Sequence, residues 1–131
     1  MGYLREFYRT ARRYYRDREA SKGYRVKFFN YQWSSQAVSD HWLYQFIIKR
    51  GILANNTKKT VSVFSDNGNK IVIDINRSNY KIFYTAENVH VPFSYWQKYE
   101  DLLLEKKSID LSLGFDYIFH EKYLRFPYWL M

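Results

Sequence analysis

Cysteine is absent from the 131 residues. That removes disulfide frameworks and thiolate metal sites, and it is compatible with a reducing compartment. No apolar run approaches the roughly 20 residues needed to span a bilayer, and no signal-type apolar core precedes a cleavage site. The chain has no Gly-rich phosphate loop, no GxGxxG, no GxSxG nucleophile elbow and no HExxH. Its three histidines, His41, His90 and His120, have no ligand spacing among themselves. Each reads as a surface or capping residue rather than a metal ligand. Nothing in the spacing supports a Ser-His-Asp site, so no metal and no cofactor is expected.

What is present is apolar, aromatic and basic. Hydrophobic residues make up 47% and aromatics 21%, with 14 tyrosines, far too much for a disordered chain. The length suits one domain with a real core. A formal net charge of +8 predicts attraction to polyanions without choosing among nucleic acid, anionic lipid and nucleotide phosphate.

Residues 3–19 read as an amphipathic helix. Leu4, Phe7, Tyr8, Ala11, Tyr14 and Tyr15 recur at helical spacing on one face, and Arg5, Arg9, Arg12, Arg13 and Arg16 fall opposite. Such a helix suits the headgroup region of an anionic membrane; it equally suits a solvated basic helix packed on its own domain. Ser21-Lys22-Gly23 reads as a linker. The expected organisation is therefore a basic helix and linker over residues 1–22 and a folded domain over 23–131.

Within that domain, residues 24–31 read as the first strand and are followed by a loop containing Trp33. Ser39 or Asp40 is expected to cap a helix over 41–49, with Trp42, Phe46 and Ile47 inward and Gly51 stopping it. Residues 60–64 read as a strand and Asp66-Asn67-Gly68-Asn69 as a turn. Residues 70–75 look extended, which makes a hairpin with 60–64 an option. A strand over 81–85, a helix over 93–105 opened by Pro92 with Trp96, Tyr99 and Leu103 inward, and a strand over 109–113 follow. Strands alternating with helices predict an α/β sandwich with a largely parallel sheet.

Lys81-Ile82-Phe83-Tyr84-Thr85-Ala86-Glu87-Asn88 carries the clearest chemical signal. A β-branched and aromatic run ends in a carboxylate and an amide, where a strand should surface. Strand ends are where α/β sheets place ligands and reactive groups. His90 lies near enough in sequence to tune Glu87.

These residues also resemble a known family. Phe83-Tyr84-Thr85-Ala86-Glu87-Asn88 is similar to the Tyr-Thr-Gly-Glu-Asn element of the α-1,3/1,4-fucosyltransferases, glycosyltransferase family 10. Asp110-Leu111-Ser112-Leu113-Gly114-Phe115-Asp116-Tyr117 and Tyr123-Leu124-Arg125-Phe126-Pro127-Tyr128-Trp129-Leu130 resemble two later elements in the same order. Val26-Lys27-Phe28-Phe29-Asn30-Tyr31 with Trp33, and Val61-Ser62-Val63-Phe64-Ser65, resemble earlier ones. The resemblance covers residues 24–131.

It implies a single Rossmann-like domain, the N-terminal, acceptor-side half of a GT-B fold, preceded here by the basic helix. It implies inverting transfer of fucose from GDP-fucose to GlcNAc- or Glc-containing oligosaccharides, as in bacterial glycan biosynthesis. Glu87 maps onto the general base. Asn88, Trp33 and Tyr84 are the implied acceptor contacts, with orienting Glu87 the alternative role for Asn88, and Asp116 and Arg125 are supporting residues that could pair with each other. Two departures stand out: Ala86 replaces the family's Gly, and the chain stops at Met131. The donor-binding motifs are missing, so GDP-fucose is expected to need a separate donor domain. The expected setting is cytoplasmic, peripheral on the inner membrane through residues 3–19. The alternatives are a basic nucleic-acid-binding module, which the lack of an RNP-like pattern argues against, and a protein-interaction domain docking through its apolar tail.

Overall fold

The computed structural model describes residues 2–30, 40–50, 58–66, 68–87 and 98–126. Its apolar runs become five strands, β1 (Val26–Phe29), β2 (Val61–Ser65), β3 (Tyr80–Tyr84), β4 (Leu111–Gly114) and β5 (Tyr123–Arg125). They form one sheet in the order β1-β2-β3-β4-β5, every pair parallel. The α/β, Rossmann-like reading holds. The order follows the chain without a reversal among the described strands, so no switch point of the doubly wound kind places a site here.

Parallel sheets are covered on both faces, which explains the near-continuous apolar strands. Phe29, Phe64, Phe83, Ser112 and Tyr123 are successive register partners across the whole sheet. The aromatic members of this row form one core with Val72, Ile73, Tyr99, Leu102 and Ile109. The opposite face buries Val26, Phe28, Val61, Val63 and Leu113 with Leu43 and Ile47. Buried serines interrupt the pattern only where their hydroxyls are bonded: Ser112 Oγ donates to the Leu102 carbonyl at 2.9 Å and Ser65 Oγ to that of Asn30 at 3.0 Å.

Four described helices flank the sheet: α1 (Gly2–Ala20), α2 (Trp42–Lys49), α3 (Ile71–Ile75) and α4 (Glu100–Leu104). The α2 helix is capped by His41 rather than Ser39 or Asp40; His41 Nδ1 accepts the Leu43 N–H at 3.2 Å. Leu43 and Ile47 are its buried residues, whereas Phe46, expected inward, is exposed. Residues 70–75 are not a hairpin strand: α3 occupies them, and β2 and β3 are parallel. A parallel crossover needs about a dozen residues and a helix to return the chain. Val72, Ile73 and Asn76 are buried at helical spacing, and Asn69 Oδ1 accepts the Ile71 N–H at 3.0 Å. Two ion pairs, Lys70–Asp101 and Lys106–Asp74, clasp α3 to α4 and the residues after it.

The helix expected over 3–19 is present as α1, but its contact face is unexpected. Thr10, Arg13, Tyr14 and Asp17 turn toward the domain, while Leu4 (74%), Phe7 (73%) and Tyr8 (70%) are exposed. Nor is Ser21-Lys22-Gly23 a slack linker. Ser21 is fully buried and its Oγ accepts the Phe28 N–H at 3.1 Å; Asp17 Oδ2 accepts the Asn30 N–H at 2.8 Å. Both donors lie on the open side of β1, the edge strand. The helix end thus satisfies amides that would otherwise template another strand. Gly23 turns the chain back with φ of 83°. No described helix is long and apolar enough to cross a membrane.

Candidate functional site

Polar residues collect at the C-terminal edge of the sheet. β1 leads into Asn30, β2 into Asp66, and β3 into Thr85, Ala86 and Glu87. Thr85 is buried and tied to the neighbouring strand by its N–H, which donates to the Leu113 carbonyl at 3.0 Å. Its hydroxyl works in two directions. It donates to the Asp66 carboxylate and accepts the Glu87 N–H at 3.0 Å. The second bond is the local turn that Thr favours two residues ahead of a backbone donor. It fixes where the backbone delivers Glu87, which is half-buried at the edge.

Asp66 is buried. Burial raises its carboxyl above the ordinary range, the Thr85 hydrogen bond works against that, and the nearby Glu87 charge raises it further. Asp66 therefore senses the Glu87 charge. A sheltered carboxylate that fixes a hydroxyl, which in turn fixes the backbone of a half-buried glutamate, can position that glutamate to accept a proton.

Next to this pair, Asn30 holds a left-handed backbone (φ 65°), which asparagine tolerates. Its Nδ2 donates to the Asn69 carbonyl at 3.3 Å. A Cβ at position 68 would run into the Asn30 side chain, which would have to shift to admit any larger residue there.

The residues implied by resemblance fall into separate places. Tyr84 is buried in the α2-side core, its ring edge-on to Trp42 at 5.5 Å, so it supports the edge from beneath. Asn88, Trp33 and His90, like Ser39, Gly51, Pro92, Trp96 and the tail from 127, lie outside the described residues. Asp116 and Arg125 sit at the β4–β5 end. Arg125 Nε donates to the Phe115 carbonyl at 3.0 Å, and its guanidinium lies 3.5 Å from the Tyr117 ring centroid. The Asp116 carbonyl accepts the Tyr123 hydroxyl at 2.8 Å. Burial, then the Asp116 charge, push the Tyr123 phenol upward. These contacts brace the end of the sheet.

Asp66 was missed from sequence because Asp-Asn-Gly reads as a turn. The available signal was the pattern itself: Phe64-Ser65-Asp66, like Phe83-Tyr84-Thr85, is an apolar strand ending in buried polar residues.

The family model described as the alpha-(1,3)-fucosyltransferase FucT N-terminal domain matches residues 26–131. The chain belongs to this family. Comparison with curated proteins and with solved structures finds no match. The match to the fucosyltransferase N-terminal domain begins at β1, so α1 lies outside it. The strand ends that carry Asp66, Thr85 and Glu87 lie inside it. Membership relates the chain to glycosyltransferases, and in general terms implies an oligosaccharide acceptor and a nucleotide-sugar donor.

Proposed function

We propose that this fucosyltransferase N-terminal domain supplies the acceptor side of inverting fucosyl transfer, with Glu87 as general base. The observation that carries the reading is the anchored strand end. Thr85, held by Asp66, fixes the Glu87 N–H, and Glu87 stands half-buried at the sheet's C-terminal edge. A sugar hydroxyl is a poor nucleophile, and a positioned carboxylate lowers the barrier by taking its proton as the new bond forms. The acceptor oxygen attacks the fucosyl anomeric carbon from the face opposite the leaving group. The carbon–oxygen bond to the diphosphate breaks, GDP departs with the electron pair, and the proton goes to Glu87. A nucleoside diphosphate leaves readily, so one base suffices.

The acceptor is proposed to be a GlcNAc- or Glc-containing oligosaccharide receiving an α-1,3 or α-1,4 linkage. Asn88 and Trp33 are the proposed further contacts to it, from sequence alone. GDP-fucose is the proposed donor, bound by a donor domain that faces this edge. The exposed aromatic stripe of α1, with Arg5, Arg12 and Arg16 alongside, is the element proposed to hold the domain at an anionic membrane.

The test is Glu87→Gln in the fucosyltransferase that contains this domain. Turnover should fall by about 10²–10⁴-fold with acceptor KM little changed. Turnover within a few fold of wild type would remove Glu87 as the base.

A further inference from the structure

Between α1 and the C-terminal ends of β1 and β2 lies a cleft of about 330 Å³. This is the size of a small-molecule site. Four cations line it from separate segments: Arg9 and Arg13 from α1, Lys70 at the start of α3, and Lys98 ahead of α4. Tyr99 contributes a ring flanked by two ammonium groups, Lys98 at 5.2 Å and Lys70 at 5.9 Å from its centroid. Among the described lining residues only Glu6 carries negative charge.

Of the neighbouring acids, Asp17 is engaged outside the cleft, while Asp101 offsets one of the four cleft cations. Asp17 is bonded to Arg16 and to the Asn30 N–H, and Asp101 to Lys70. Burial, and then the charge of Arg16, hold Arg13 below its ordinary value despite Asp17, with Arg9 acting in the same direction. The cleft is therefore a concave place with a surplus of positive charge. It is built partly from α1, which the family match does not cover.

We infer that this cleft binds a small molecule carrying a phosphate or diphosphate, with the arginine forks and lysine ammoniums on its oxygens and Tyr99 beside the group attached to them. Arginine matches phosphate oxygens in paired geometry, and lysine adds point charge. A cleft of this volume admits a phosphorylated metabolite rather than a duplex. Asn30, which follows β1, and Gly68, two residues after Asp66, line the cleft, so the ligand lies toward the same C-terminal edge of the sheet. The inference stands independently of the role of Glu87.

The experiment is calorimetric titration of the chain with inorganic pyrophosphate at about 0.15 M salt, where general surface attraction is screened. GDP and farnesyl diphosphate serve as parallel arms. Saturable pyrophosphate binding is expected. Arg9→Gln and Lys98→Gln, both exposed positions, should each weaken it about tenfold, the loss of one charge-assisted contact. Arg12→Glu on the outer face of α1 and Lys49→Glu on α2 should leave it unchanged. Tighter GDP than pyrophosphate assigns the cleft to a nucleotide, and tighter farnesyl diphosphate to a lipid-linked diphosphate. Equal affinities assign it to the diphosphate itself. Absence of saturable binding up to about 10 mM, a level weaker than roughly −3 kcal/mol, overturns the inference. So does equal weakening by the cleft and control substitutions, which would show general charge attraction only.

Discussion

The Thr85 hydroxyl donates to the Asp66 carboxylate, joining the ends of β3 and β2 where the chain turns into Glu87. That hydroxyl bonds the carboxylate of the buried acid on one side and the backbone N–H of Glu87 on the other. Removing the hydroxyl should loosen both. Thr85→Val is expected to cost about 1–3 kcal/mol, the range for leaving a buried polar group without its partner. Thr85→Ser keeps the hydroxyl and should cost less than half as much. Urea unfolding of the two variants measures this. A loss confined to Thr85→Ser, with Thr85→Val as stable as wild type, would show that Thr85 matters for its methyl group rather than its hydrogen bonds.

Asp66 titrates in a direction that can be checked. Its folded carboxyl is raised by burial, so its contribution to stability is fully present below the unfolded value of about 4. That contribution is lost as pH rises through the folded value. Asp66→Asn keeps an acceptor for Thr85 without the buried charge. It should be at least as stable as wild type at pH 8 and less favoured near pH 4. A stability difference that does not change with pH would contradict the assignment.

His41 gives the opposite slope. Burial lowers it to about 4, and the unprotonated Nδ1 is what accepts the Leu43 N–H. Its contribution is present above about 6.5 and is lost as pH falls toward the folded value. Wild type should lose on the order of 2 kcal/mol between pH 7 and 4.5 from this group. His41→Asn, which keeps a capping side chain, should remove that part of the pH dependence. Matched denaturation curves at the two pH values read it out.

At the sheet edge, Asp17→Ala leaves the Asn30 N–H without its acceptor. It should destabilise the chain by about 1–3 kcal/mol and expose β1 to pairing with other chains. Asp17→Asn retains an acceptor oxygen and should recover most of the loss. Chemical denaturation with light scattering follows both effects. Unchanged stability in Asp17→Ala would mean that α1 does not hold the edge.

Four of the strands were legible because a sheet buried on both faces favours contiguous apolar runs; β5, only Tyr-Leu-Arg, is too short to carry such a run and was not read as a strand. Period alone also marked α1, and the resemblance identified the family. Position 71–75 misled because Ile-Val-Ile has strand composition; the need to return the chain for a parallel β3 overrode it. The contact face of α1 was hidden for a related reason. Its apolar stripe dominates the periodicity, yet Asp17 and Ser21 are what the edge amides of β1 demand, and one sequence does not show which strand will be an edge. Asp66 was masked by a genuine turn signal, since a strand-end carboxylate and a turn residue look alike until the neighbouring strand brings Thr85 against it.

The central claim is that the edge at Thr85, Ala86 and Glu87 receives an acceptor sugar. Its most direct test is titration of the isotopically labelled chain with N-acetyllactosamine, followed through backbone amide shifts. The account predicts saturable shifts centred on Thr85, Ala86 and Glu87, weakened in Thr85→Val. Shifts centred elsewhere, or none at acceptor concentrations of about 10 mM, where binding would be weaker than roughly −3 kcal/mol, would contradict it.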